Sequence, residues 1–485
     1  MRRTPSSWRR IVSHRRAGPG VNAARWGALI TPHAALTGLV CGVASVALGI
    51  GTSLAAAHGE LSLLVGGIVA AVTVCVLFAV PVQTLPAITL VATLVIPTDS
   101  NLLPLVLQGS ALGVVPLAVW LVRARARLQV SLTCRVLAAL LAIWMLLSEI
   151  LAPLHTHRGW AWLATATIGL VLVVTITPAG LNPRRLRSLF LAIMSVLGAY
   201  AALEGFVLHR NVLFGPILEH SSWWASLENS VSYRATTLLG HPLLNGTVFA
   251  AAAALAASEV VDKPKGSQTG LIRLAILIGA VVATHSRGAA IALGVGLATT
   301  IVFARSRQHE SGTRRLGLLV SAILGGAVVV AGLQARNESL GGRASAAVRS
   351  TVLVRASETL RDLPLTGAGP GQSDAYRTLK RLPGSELALE NSYAELAVST
   401  GWVGAGLVIA LLGTVVIVGI RHASTTGEAA ALLTILVAIA GYNSIEGSPS
   451  VLLLIALLVV AILTGAAAES QSTRSGVGAI RPRER

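Results

Sequence analysis

The sequence predicts an all-α, polytopic transmembrane helical bundle of about 12–14 spans, with a large extracytoplasmic loop before the last three. Three observations predict it. Over 485 residues, 54% are hydrophobic and 12% charged, well below the ~25% charge of a soluble domain. Many of the apolar runs are long enough to cross ~30 Å of hydrocarbon. The basic residues gather in short segments between those runs. Together these exclude secreted disulfide scaffolds, disordered chains, coiled coils and ordinary cytosolic enzymes.

In chain order, the apolar runs fall at 36–57, 61–80, 84–97, 102–122, 136–153, 160–178, 186–207, 242–258, 269–285, 288–304, 315–334, 394–420, 428–445 and 450–467. The 84–97 run is short and bounded by Pro81, Pro86 and Pro97, which fits a half-span or a tilted helix. Cys41 and Cys75 lie in apolar runs and Cys134 in a basic loop, none at metal-ligand spacing, so they read as small apolar residues.

The formal charge is +18, a balance that also occurs in nucleic-acid binders. Here the basic residues lie between spans, without aromatic interleaving or a nucleic-acid motif, so no nucleic-acid partner is expected. Clusters occur before the first run, at Arg123, Arg125, Arg127 and Arg135, at Arg184, Arg185 and Arg187, at Lys263 and Lys265, at Arg305 to Arg315, at Arg421, and at the C-terminal end. Threaded through the runs, all fall on one side, which the positive-inside rule makes cytoplasmic. The expectation is a multi-pass plasma-membrane protein with both termini cytoplasmic. Its parts are a basic tail over 1–33, N-terminal spans over 34–229, a functional region over 230–468 with an external loop at 335–391, and a second basic tail over 469–485.

Candidate chemistry gathers on the outward side. Tyr233-Arg-Ala-Thr-Thr-Leu-Leu-Gly-His-Pro leads into one span, and Thr284-His-Ser-Arg-Gly joins two. An arginine in an outward connection is not what the positive-inside rule favours. Arg287 either snorkels to the interface or binds an anion. Guanidinium groups grip phosphate oxygens bidentately, so Arg234 and Arg287 together are candidates to hold a diphosphate. His241 and His285 are structural polar residues or catalytic ones.

In the large loop, Arg343, Arg349, Arg355 and Arg361 recur at a spacing of six, which carries them around a helix rather than along one stripe. The stretch from Asp362 to Gly371 places Gly367, Gly369 and Gly371 around Pro370, a tight turn that lets backbone approach a partner closely. Glu390 and Asn391 then precede a span. Glu390 is a dipole partner of that helix or a carboxylate base beside apolar surface.

These pieces resemble the O-antigen ligase/polymerase family of bacterial envelope glycosyltransferases. The resemblance rests on Arg234…Gly240-His-Pro, Ser286-Arg-Gly-Ala-Ala, Arg355…Leu360-Arg-Asp-Leu-Pro-Leu-Thr-Gly-Ala-Gly-Pro-Gly, and Asn391-Ser-Tyr-Ala-Glu-Leu…Thr-Gly401, in that order over about 230–445. It implies transfer of a glycan from a polyprenyl-diphosphate carrier to a glycan or glycolipid acceptor, in contact with membrane lipids, with no metal and no cofactor. By position it makes Arg234, Arg287 and Arg355 diphosphate ligands. Ligases carry a histidine immediately before the Asn-Ser-Tyr element; here that position is Glu390. Either Glu390 or His241 then takes the catalytic-base role. A flippase of lipid-linked sugars and a catalytically inactive family member are the alternative readings.

Overall fold

The computed structural model describes residues 72, 74–95, 109–124, 130–153, 155–176, 181–215, 233–262, 268–305, 354, 356–379, 389, 391–441, 445–446 and 448–477. By backbone contacts the chain divides into Met1–Ala79 and Val80–Arg485. In the first unit the described residues are helical. The expected runs at 36–57, most of 61–80, and 315–334 lie outside the described residues, as do the N-terminal tail and the end of the C-terminal one.

The second unit is built of helices α1 (Leu85–Val95), α2 (Gly109–Arg123), α3 (Leu132–Ile150), α4 (His157–Ala166), α5 (Pro183–Leu203), α6 (Pro242–Asp262), α7 (Gln268–Ala283), α8 (Arg287–Arg305), α9 (Ser373–Leu379), α10 (Ser392–Arg421), α11 (Thr426–Ala438) and α12 (Pro449–Val477). The helix begun by α4 widens into a π-turn at Thr167–Leu172, and α5 does so at Glu204–Leu208. Among the described residues, six helical segments are long and apolar enough to cross a membrane, and shorter apolar helices occupy the other expected runs. The protein is an all-α polytopic membrane protein.

Helix α3 shows why these residues pack as they do. Cys134, Ala138, Leu141, Met145 and Ser148 are buried, while Leu132, Val136, Leu140, Ile143, Leu147 and Ile150 are exposed. Both sets step by three and four residues, so one stripe faces protein and the other is apolar and faces out, as lipid requires. Cys134 therefore belongs to a buried helix face rather than to a basic loop. Helices α6 and α12 are buried nearly all round and form the centre. The alanine run Ala250–Ala254 in α6 is fully buried; small side chains let α7, α8 and α11 approach closely.

Alternating helix directions place the short connections at two ends. At one end Arg187 grips Glu428 with two hydrogen bonds, Nε to Oε1 at 2.8 Å and Nη2 to Oε2 at 2.5 Å, with Asp262 at 3.8 Å. That clasp joins the starts of α5 and α11 to the end of α6. The candidate site lies at the other end.

Candidate functional site

The arginine side of the site is positioned by a buried acid. Glu204 lies in the π-turn that ends the α5 segment, and its carboxylate takes four hydrogen bonds: from Tyr233 Oη at 2.5 Å, Thr236 N at 2.7 Å, Thr236 Oγ1 at 3.1 Å and Thr237 N at 3.1 Å. A buried carboxylate is tolerated when its lone pairs are met in this way. Burial, then the neighbouring Glu204 charge, pushes the Tyr233 phenol up, so it stays protonated and donates. Asn211 Nδ2 adds bonds to Thr236 Oγ1 and the Thr237 carbonyl, and Tyr200 Oη bonds Asn211 Oδ1. From α6, Asn245 accepts from Thr237 Oγ1 at 2.6 Å and donates to the carbonyls of Thr236 and His241. The 233–241 loop is thus pinned at many points.

This loop carries Arg234 to the connection between α7 and α8. Arg234 Nε donates to the Thr284 carbonyl at 3.0 Å, and Ala235 N to the Ala283 carbonyl at 3.0 Å. The connection turns through His285 in a left-handed conformation (φ 49°). Ser286 Oγ then accepts from Ala289 N at 3.3 Å, capping α8, whose first residue is Arg287. Arg234 and Arg287, both half-buried, therefore meet at one turn. Guanidinium groups and a helix start present only donors and positive charge, a setting for an anion.

His241 is buried near Arg234. Its Nδ1 accepts from Leu243 N at 3.2 Å, so the proton is assigned to Nε2. Burial, with the Arg234 charge second, lowers its pKa to about 3. At neutral pH it presents an N–H donor. The sign for stability follows. The unfolded side chain takes a proton near pH 6.5 while the folded one resists to about pH 3, so stability falls as pH drops through that window. The thermal midpoint of the detergent-solubilised chain should fall between pH 6.5 and pH 4.5, and His241→Gln should flatten that fall; equal slopes would contradict the assignment.

The glycine turn docks on a broken helix. Gly401 (φ 69°, ψ 172°) interrupts α10. Three consecutive carbonyls before the break find partners elsewhere: Val398 accepts from Ala368 N at 2.8 Å, Ser399 from Gly369 N at 2.9 Å, and Thr400 from Trp144 Nε1 at 2.7 Å. Ser148 Oγ donates to the Thr366 carbonyl. The turn is a structural wedge between α3 and α10.

Beyond the turn lies a polar cluster that sequence reasoning missed. Ser373 Oγ donates to Glu446 Oε2 at 2.7 Å, and Glu446 N to Glu395 Oε2 at 3.4 Å. Trp162 Nε1 donates to the Ile445 carbonyl at 3.1 Å, and Ile445 N to Ser392 Oγ at 3.4 Å. Gln372 Nε2 donates to Thr156 Oγ1 at 2.5 Å, and Arg377, almost wholly buried, pairs with Asp374 at 3.6 Å. The available signal was acids at the edges of apolar runs in a chain with only 20 of them. Burial, then Asp362, pushes the Tyr376 phenol up.

Of the expected site residues, Arg234 and Arg287 flank the 284–286 turn, and His241 lies within reach of the Arg234 charge. Glu390 and Arg355 lie outside the described residues. The helix that Glu390 precedes is capped by Asn391, whose Oδ1 accepts from Tyr393 N at 3.0 Å and Ala394 N at 3.1 Å.

Fold and site define an all-helical membrane protein with a cationic turn and an acidic cluster at one end of the bundle. Residues 272–409 match the family model described as O-Antigen ligase. That match supports assignment of the chain to the O-antigen ligase family. It spans Arg287, the glycine turn and Glu395, and leaves Arg234, His241 and Glu446 outside its bounds. No curated protein matches the chain.

Proposed function

We propose that the chain is a glycosyltransferase of the O-antigen ligase/polymerase type, acting in cell-envelope polysaccharide assembly at the outer face of the plasma membrane, with both termini cytoplasmic. Its donor is a glycan on a polyprenyl diphosphate and its acceptor a sugar hydroxyl. The observation that carries this reading is the meeting of Arg234 and Arg287 at the Thr284–Ser286 turn. In the reaction the acceptor oxygen forms a bond to the anomeric carbon as the bond from that carbon to the diphosphate breaks. The electron pair leaves on the diphosphate oxygen, and the two guanidiniums stabilise the negative charge that develops there. Arg355 is proposed as a third ligand.

The acceptor's proton needs a base, a contribution of about 10²–10⁴-fold. Glu390 is proposed for it. His241, with its proton on Nε2, is better suited to donate a hydrogen bond to a phosphate or sugar oxygen than to take the proton. The catalytic region is proposed to span 230–468, including the external loop 335–391, and 34–229 to be N-terminal transmembrane helices.

The test is Arg287→Ala, assayed as glycan transfer from polyprenyl diphosphate in membranes, with inserted protein quantified. Loss of a preorganised charge at the leaving group should lower kcat/KM by about 100-fold or more. Unchanged transfer would remove the clamp and with it this reading.

A further inference from the structure

The arginine turn accounts for one substrate of a two-substrate reaction. The acidic cluster at the same end has the opposite chemistry. We infer that it is the acceptor subsite, binding hydroxyls of a neutral sugar through Glu446 and Ser373. This rests on the transfer reading above and supplies its second substrate.

The cluster is enclosed and built from distant parts of the chain. Glu395 is 0% exposed, Glu446 5% and Ser373 1%. They come from α10, from the segment before α12, and from α9, and they are tied by hydrogen bonds. Glu149, also fully buried, approaches from α3 and pairs with His155 at 3.7 Å. Among the described residues Arg377, on α9, pairs with Asp374. Glu395 and Glu446 place carboxylates here, which accept from hydroxyl donors rather than grip a diphosphate as guanidinium groups do.

A second observation points to a ligand. Ser399 Oγ, Ser448 Oγ and Gln372 Oε1 are buried and have no hydrogen-bond partner among the described residues. Each borders the acids: Ser399 lies one turn past Glu395 on the same face of α10, Ser448 is two residues past Glu446, and Gln372 adjoins Ser373. Carboxylates and an amide oxygen accept; serine hydroxyls both accept and donate. Vicinal sugar hydroxyls match that set. Among the described residues no group of three or more acidic, histidine or cysteine side chains is arranged to hold a metal ion.

Gly288, beside Arg287, faces the Ala438 carbonyl at 3.5 Å and Gly441 at 4.0 Å from its Cβ position, so the arginine turn packs on the end of the element that precedes Glu446 in the chain.

The test uses the full chain in lipid nanodiscs and saturation-transfer NMR. The probes are glucose, galactose, mannose, rhamnose and N-acetylglucosamine, with inorganic pyrophosphate titrated separately. At least one sugar should bind. Glu446→Gln and Ser373→Ala should each weaken it by about tenfold or more while leaving pyrophosphate binding intact. Arg287→Ala should do the reverse. Absence of sugar binding, sugar binding indifferent to both variants, competition between sugar and pyrophosphate, or a site that takes Mg²⁺ or Ca²⁺ instead would overturn the subsite. Sugar binding without pyrophosphate binding would sink the donor site and leave the sugar subsite standing.

Discussion

Gly401→Ala should leave little correctly folded protein. Two costs add at that position. Its backbone (φ 69°, ψ 172°) lies in a region open essentially to glycine alone, worth about 1–3 kcal/mol. A Cβ there would also sit 1.8 Å from the Leu365 carbonyl oxygen, so the glycine turn would have to leave its seat. The bonds from Ala368 and Gly369 to the Val398 and Ser399 carbonyls would go with it. The combined loss should exceed about 4 kcal/mol, the range of severe mutations. Fluorescence-detected size exclusion across a thermal ramp measures it. An unchanged midpoint would mean that the turn is not held by the broken helix.

Glu204→Ala should have the second-largest effect, on stability and donor use together. It strips four hydrogen bonds from the 233–241 loop and leaves buried donors on Tyr233, Thr236 and Thr237. Removing one partner of such a buried charged network costs about 3–5 kcal/mol. The loop that carries Arg234 would loosen, so KM for the lipid-linked donor should rise even under conditions where the variant stays folded. Glu204→Gln retains acceptor capacity and should recover part of both. A variant with normal stability and normal donor KM would show that the loop is held by other contacts.

Much of the fold was legible because lipid imposes simple rules. The α3 run gave away its span through length and lack of charge, and the alanine run in α6 marked ordinary span material. Helix ends were less legible. The 450–467 run continues as helix to Val477, because Ser and Gln beyond the apolar core still form helix once the preceding turns are made. The short 84–97 run is helical over Leu85–Val95, with Pro86 in the first turn, where its missing N–H costs nothing.

The candidate site was legible where a charge broke a rule. Arg287 stood out because a connection expected to face outward should carry few arginines, and Arg234 because it lies in a second such loop and could share a diphosphate with it. What joins them, the bond from Arg234 to the Thr284 carbonyl, links residues 50 positions apart and has no local signature. Glu395 and Glu446 escaped notice for the same reason. Each reads alone as an acid at a span edge, and only tertiary packing brings them to one place. The glycine turn was recognisable as a tight turn, but its partner, the interrupted α10, was hidden because Thr400 and Gly401 look like ordinary span residues.

The cap of α10 closes the threshold of that helix with a neutral side chain. Asn391 Oδ1 accepts from two of the leading amides, Tyr393 N and Ala394 N, so that part of the helix start is satisfied by an amide oxygen rather than by a charge.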